Sequence, residues 1–119
     1  MKYTQEQIDK MSDHEINLAV AKKNFVRNEL IKDHKTHVIV TTVGLGGSNF
    51  NPCKTWNDVM LIAEKYDIGV YPGSNYAYFS KCLEMFRGEC QESISVESTN
   101  KNLRRAICEV FLMMDFNRD

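Results

Sequence analysis

Hydrophobic and polar residues follow one another along the chain with periods that separate helices from strands. Ile16, Ala19 and Val20, with the stem of Lys23, fall on one face of a helix predicted from Ser12 to about Phe25. Ser12-Asp13-His14-Glu15 has the spacing of a capping box, in which the serine oxygen accepts from a free amide and the glutamate reaches back to the cap. Met11 and Ile16 suit the accompanying hydrophobic staple, and Thr4-Gln5-Glu6-Gln7 predicts one preliminary turn upstream. Further on, Val59, Ile62, Ala63 and Tyr66 repeat at helical spacing, with Thr55 as the cap, Asp58 in the first turn and an end near Asp67. Leu103, Ala106, Ile107, Val110, Phe111 and Met114 form the most extended stripe, a last helix for which Asn100 is the expected cap.

The strands show a different rhythm. His37 to Val43 is rich in β-branched residues with apolar groups on both faces, which predicts a central strand. Gly44-Leu45-Gly46-Gly47-Ser48-Asn49 and the following Phe50-Asn51-Pro52-Cys53 read as turn or loop, and Asn24 to Lys35 reads as a connection without a clean period. Ile68–Tyr71 and Tyr76–Leu83 flank Pro72-Gly73-Ser74-Asn75 as an antiparallel hairpin. Gly88 marks a further connection before Ile94 and Val96, which alternate with polar residues as in a half-exposed edge strand. The fold class expected is α+β: one sheet of about four mostly antiparallel strands covered on both faces by three helices, an α/β/α sandwich. With no repeat, linker or low-complexity tract, residues 1–119 read as a single domain.

Composition narrows the function classes. The chain is 43% hydrophobic and 26% charged, which places it among globular domains rather than disordered ones. Fifteen basic and 16 acidic residues leave a net charge of -1, so general nucleic-acid binding is not expected. Apolar runs such as Ala106 to Met114 fall short of the ~20 residues that span a bilayer, and Met1 to Lys10 lacks the features of a secretory signal. The expectation is a cytoplasmic protein without a membrane partner, whose Cys53, Cys82, Cys90 and Cys108 are free thiols.

Three segments stand out together: Met11-Ser12-Asp13-His14-Glu15-Ile16-Asn17 with Ala19-Val20-Ala21, then Phe50-Asn51-Pro52 with Trp56-Asn57-Asp58, then Leu103-Arg104-Arg105-Ala106 with Val110-Phe111-Leu112-Met113-Met114. In order and spacing, over nearly the whole chain, they resemble the NinX-type proteins of lambdoid bacteriophages, and a wider group of small phage helix-sheet-helix sandwich proteins is similar in layout. The chain departs from that pattern at Asn102, where the resemblance leads one to expect proline, and at Arg105, where it leads one to expect alanine. Proline there mainly presets the first helical turn, so neither change should break the helix start. The resemblance implies a phage accessory protein made in a bacterial cytoplasm. It implies no reaction and no catalytic residue.

Candidate chemistry is sparse. Gly44 to Ser48 lacks the direct passage into a helix that phosphate-cradling loops use, because Phe50-Asn51-Pro52 intervenes; a flexible turn is the simpler reading. His34 and His37 with Asp33 lack further ligands at metal-binding spacing, and the cysteines read as small core groups, so neither metal nor cofactor is expected. Glu89, Glu92 and Glu97 read as a solvated face or edge-strand protection.

Two surfaces remain as binding candidates. The first is Phe50, Asn51, Trp56, Asn57 and Asp58, where the only tryptophan begins a helix off its apolar face, as an interface anchor or, in the blander reading, as a lid on the core. The second is Lys101, Arg104 and Arg105, positive charge in a first helical turn where the helix dipole disfavours it, either an anion site or a solvated basic turn. Tyr71, Tyr76, Tyr78 and Phe79 weight the hairpin with aromatics, and if Tyr76 and Tyr78 share one face the other set is core. The leading reading is a non-enzymatic binder of a host or phage macromolecule, with a protein as the expected partner and countering a host defence as one such task. Sequestration of an anionic nucleotide and a small hydrolase with a dispersed site stay open as alternatives, and a homodimer is compatible with a domain of this size.

Overall fold

The computed structural model describes residues 3–24, 31–33, 39–43 and 46–114, with the segments at 31–33, 39–43 and 46–49 described as backbone. In chain order the elements are α1 (Gln5–Asp9), α2 (Asp13–Asn24), β1 (Ile31–Asp33), β2 (Ile39–Val43), β3 (Gly46–Phe50), α3 (Trp56–Lys65), β4 (Gly69–Tyr71), a 3-10 turn (Pro72–Ser74), β5 (Tyr76–Phe86), β6 (Glu89–Thr99) and α4 (Leu103–Met113). The parts of the expected connection at 25–30 and 34–35, and His37, Val38, Gly44 and Leu45, lie outside the described residues.

The helix starts follow from local hydrogen bonding. Thr4 and Gln7 close a capping box on α1, and Ser12 and Glu15 close a second on α2, with Ser12 N donating to Glu15 Oε1 at 3.0 Å and Glu15 N to Ser12 Oγ at 3.2 Å. Those bonds favour the carboxylate form and hold the Glu15 carboxyl below its usual range. At the other end of α3, Asp67 takes a left-handed conformation and the Ile68 amide donates back to the Ala63 carbonyl at 2.9 Å, a Schellman closure. Asn102, rather than Asn100, caps α4: its side chain accepts from the Arg104 amide at 3.2 Å, while Asn100 Oδ1 receives the Asn102 amide at 2.9 Å.

The sheet differs from expectation. In place of one sheet of about four strands, the described residues form two antiparallel sheets of three, ordered β1-β2-β3 and β4-β5-β6, and four α-helices in place of three. Gly46–Phe50, expected as loop, is β3, paired with β2 from Val43↔Gly46 to Ile39↔Phe50. Glycines lower strand propensity but do not block pairing once a neighbouring strand supplies the ladder. Ile31–Asp33, read as connection, pairs with β2 as β1.

In the second sheet, β5 pairs with β4 on one side and β6 on the other. The β5–β6 hairpin is longer than expected, reaching Phe86 and turning through Arg87 and Gly88, both left-handed, as a two-residue type I′ turn requires. Across its outer part Cys82 and Cys90 form a disulfide with Cα atoms 5.9 Å apart, which corrects the free-thiol reading for that pair. The two cysteines are not register partners, Cys82 facing Ser93 and Cys90 facing Met85, and the irregular stretch between Cys82 and Met85 lies where the two sulfurs meet, something spacing in the chain does not encode. Cys53 and Cys108 are free and buried.

Helix α4 is the centre of the packing. Leu103, Ala106, Ile107, Cys108, Val110, Phe111, Leu112 and Met114 are all buried, with Ile8 of α1, Ile16 and Val20 of α2, and Val59, Ile62 and Ala63 of α3 in the same core. On its other side α4 lies on β5 and β6, where Ala77 is buried and Phe79 and Val96 pack against the core. Lys23 donates to the Phe111 and Met114 carbonyls at the end of α4, a cation where the helix dipole favours one. The opposite face of this sheet carries Tyr71, Tyr76 and Tyr78, and among the described residues the helix packed on β5 and β6 is α4, on the other face, so the expected helices on both faces are not seen for this sheet. Among the described residues no helix is long and apolar enough to cross a membrane.

Candidate functional site

Between β3 and α3 the chain makes a tight loop whose backbone is fastened by amide side chains from two helices. Asn17, on α2 and 5% exposed, donates from Nδ2 to Asn51 Oδ1 at 2.7 Å and accepts the Cys53 amide on Oδ1 at 2.9 Å. The Cys53 carbonyl in turn accepts from Asn102 Nδ2 at 2.7 Å, which ties the loop to the start of α4. Asp58 reaches back from the first turn of α3 to accept the Asn51 amide at 2.9 Å. Pro52 is fully buried and Phe50 nearly so. Of the first predicted group, therefore, Phe50, Asn51 and Asp58 are spent on architecture, while Trp56 and Asn57 face solvent.

This loop places Trp56 beside α4. The Arg104 guanidinium lies over the indole, 5.0 Å from the ring centroid, so the two predicted groups meet through Trp56 and Arg104. The ring does not fold over the core as a lid: it is 42% exposed. Met60, one helical turn on and 43% exposed, shares its side of α3, and Leu61, 66% exposed, continues the apolar surface. The helical pattern already leaves Met60 and Leu61 off the stripe of Val59, Ile62 and Ala63, which is the signal that marks them as surface residues. Lys101 is exposed just before α4.

Arg105 has a different fate. Its Nη1 pairs with Asp13 Oδ1 at 2.6 Å, Nε with Glu109 Oε2 at 2.9 Å, and Nη2 donates to the Ile8 and Met11 carbonyls at 3.1 and 2.8 Å. Burial alone would lower its pKa, but the bonds to Asp13 and Glu109 outweigh that and hold it above the ordinary value. Glu109, 2% exposed, also accepts from Ser98 Oγ and from Asn100 Nδ2 at 3.3 Å. The guanidinium is thus a bolt between α1, α2 and α4, and the basic turn keeps Arg104 and Lys101 as its outward charges.

Elsewhere, Tyr71, Tyr76 and Tyr78 stack on one another with ring centroids 5.5–6.0 Å apart on the open face of β4-β5-β6. This meets the condition set by alternation, with Ala77 and Phe79 turned to the core. A cleft of about 320 Å³ lined by Tyr66, Asp67, Phe79, Ser80, Lys81 and Met114 contains neither Trp56 nor Arg104. Burial pushes the Cys108 thiol well above its usual pKa, as does its hydrogen bond with Cys53, and this keeps it protonated, the reverse of what a nucleophilic thiolate needs. His34 and His37 lie outside the described residues.

Fold and site together define an α+β fold packed around one buried helix, with an aromatic and cationic surface where α3 meets α4. The chain belongs to the family described as Bacteriophage P22, NinX, whose model matches residues 7–115. Comparisons with curated proteins and with solved structures give no match.

Proposed function

We propose that this NinX-type phage protein is a non-enzymatic accessory protein that binds a macromolecular partner, a protein, through the surface of Trp56, Met60, Leu61, Arg104 and Lys101. The observation that carries the reading is the Trp56 ring held open against Arg104 next to two exposed apolar side chains of the same helix. Tryptophan, methionine and arginine are the residue types enriched at protein interfaces, and a large ring already fixed by a neighbour loses little freedom on binding. Action against a host defence belongs to this reading as one task such a binder performs in the infected cell.

Sequestration of an anionic nucleotide is less well supported, because Arg105, half of the expected arginine pair, already satisfies two carboxylates and two carbonyls. The test is affinity capture from phage-infected cell lysate with the wild-type protein and with Trp56→Ala. A protein retained by the wild type and lost with the variant supports the reading. Equal retention by both, or a rise in melting temperature of several degrees with a nucleotide that depends on Trp56, would turn it toward a different surface or toward the small ligand.

A further inference from the structure

Strand β6 forms one edge of its sheet, since the order is β4-β5-β6. It runs for 11 residues, Glu89–Thr99, and from Cys82↔Ser93 to Tyr76↔Thr99 its pairing with β5 is regular, the irregularities lying nearer the turn. Among the described residues, no backbone hydrogen bond beyond the ladder with β5 reaches β6. Such an edge is a template for another strand, and folded proteins commonly blunt it with lysine, proline or a bulge. β6 contains neither lysine, arginine nor proline, and its Ser93–Thr99 stretch has no bulge.

Side-chain alternation along that edge says what it would accept. Ile94 and Val96 point toward the α4 side and remain half-exposed, leaving apolar surface that an added strand would cover. Glu97 lies on the open face with Ser93, Ser95 and Thr99, all exposed, and near the turn Glu92 sits directly opposite Glu84. Like charges facing across a ladder are unfavourable, and a cation on a neighbouring strand would relieve them. A second copy of β6 is a poor fit because it would bring three more glutamates and no cation to the same ladder.

We infer that the free edge of β6 takes up an extended segment of a partner protein by strand addition, and that this segment alternates apolar residues with lysine, arginine or hydroxyl residues. Main-chain bonds supply the attachment; the apolar positions lie beside Ile94 and Val96, and the basic position beside Glu97. This site is on a different element from the Trp56 surface and stands or falls apart from it.

The experiment is fluorescence anisotropy with a labelled peptide of about eight residues that alternates valine with lysine or threonine, a length matched to a strand edge. Two companions are used: the same peptide with alternate backbone amides N-methylated, and one with glutamate in place of lysine. The lysine peptide is expected to bind, with either companion weaker by about tenfold or more, and Glu97→Lys is expected to reverse the preference between lysine and glutamate. Equal binding of the N-methylated peptide would overturn strand addition, leaving charge attraction alone. So would no binding by the lysine peptide, or a protein that light scattering shows to be dimeric until β6 is altered by Val96→Lys.

Discussion

Replacing Arg105 by methionine tests whether the guanidinium bolt is structural. Methionine keeps an apolar stem in place of the arginine methylenes, so the change isolates the charge. It strips Glu109, 2% exposed, of its cation and removes the side-chain donor of the Met11 carbonyl, while the Ile8 carbonyl keeps the Met11 amide. Breaking a buried ion pair from one side costs about 3–5 kcal/mol, because the remaining charge is stranded in a poorly solvating site. For a chain of 119 residues that corresponds to a melting temperature lower by about 10–20 °C. Urea unfolding followed by circular dichroism reads the free energy directly. The double variant Arg105→Met with Glu109→Gln removes both charges yet leaves an amide for Ser98 and Asn100, and should recover at least about 2 kcal/mol relative to Arg105→Met alone. A cost below about 1 kcal/mol for Arg105→Met, the range of exposed pairs, would refute the assignment and return Arg105 to the surface as a candidate anion site.

Two further outcomes follow from the open face of the second sheet. A Cβ on Gly69 would meet the Tyr78 ring at 2.3 Å, so Gly69→Ala should destabilise the protein by about 1–3 kcal/mol in urea unfolding, and Tyr78→Ala should abolish most of that penalty. Tyr76 donates to Glu97 Oε2 at 2.6 Å, which raises its phenol above the ordinary pKa, and Tyr78 is raised through its bond with Tyr71. Because the folded state holds these protons more tightly than the unfolded chain, the stabilisation is present below about pH 10 and is lost as pH rises through the folded values. Ultraviolet titration of the phenolates should show Tyr76 moving back toward the ordinary range in Glu97→Gln, and an unchanged titration would show that the bond does not control it.

What could be read from the chain was what is decided locally. Ser12 with Glu15 and the stripes of α3 and α4 declare helices because their partners lie within four residues. The cap of α4 lies two positions beyond Asn100, since Asn100 and Asn102 have the same chemistry and only the backbone decides which accepts from Arg104. Gly46–Phe50 carries little strand propensity and becomes β3 because β2 offers a ladder, a fact held by the partner rather than the segment. The division into two sheets and the Cys82–Cys90 bond have the same origin in pairing. For the site, the residue types were legible and their use was not. Arg104 and Arg105 are identical neighbours, yet one lies on Trp56 and the other is buried in carboxylates, and the rotation of α4 that separates them is set by its packing on all sides.

The central position of α4 also bears on how the protein is made. Helices α1, α2 and α3 and the hairpin β5–β6 all precede it in the chain and all bury apolar surface against it. As the ribosome extends the polypeptide from its amino terminus, those surfaces emerge first and have nothing to close upon. The nascent chain therefore passes through an interval of exposed hydrophobic surface that ends only when Leu103–Met113 has emerged, so the core closes after the elements that pack on α4 have been made.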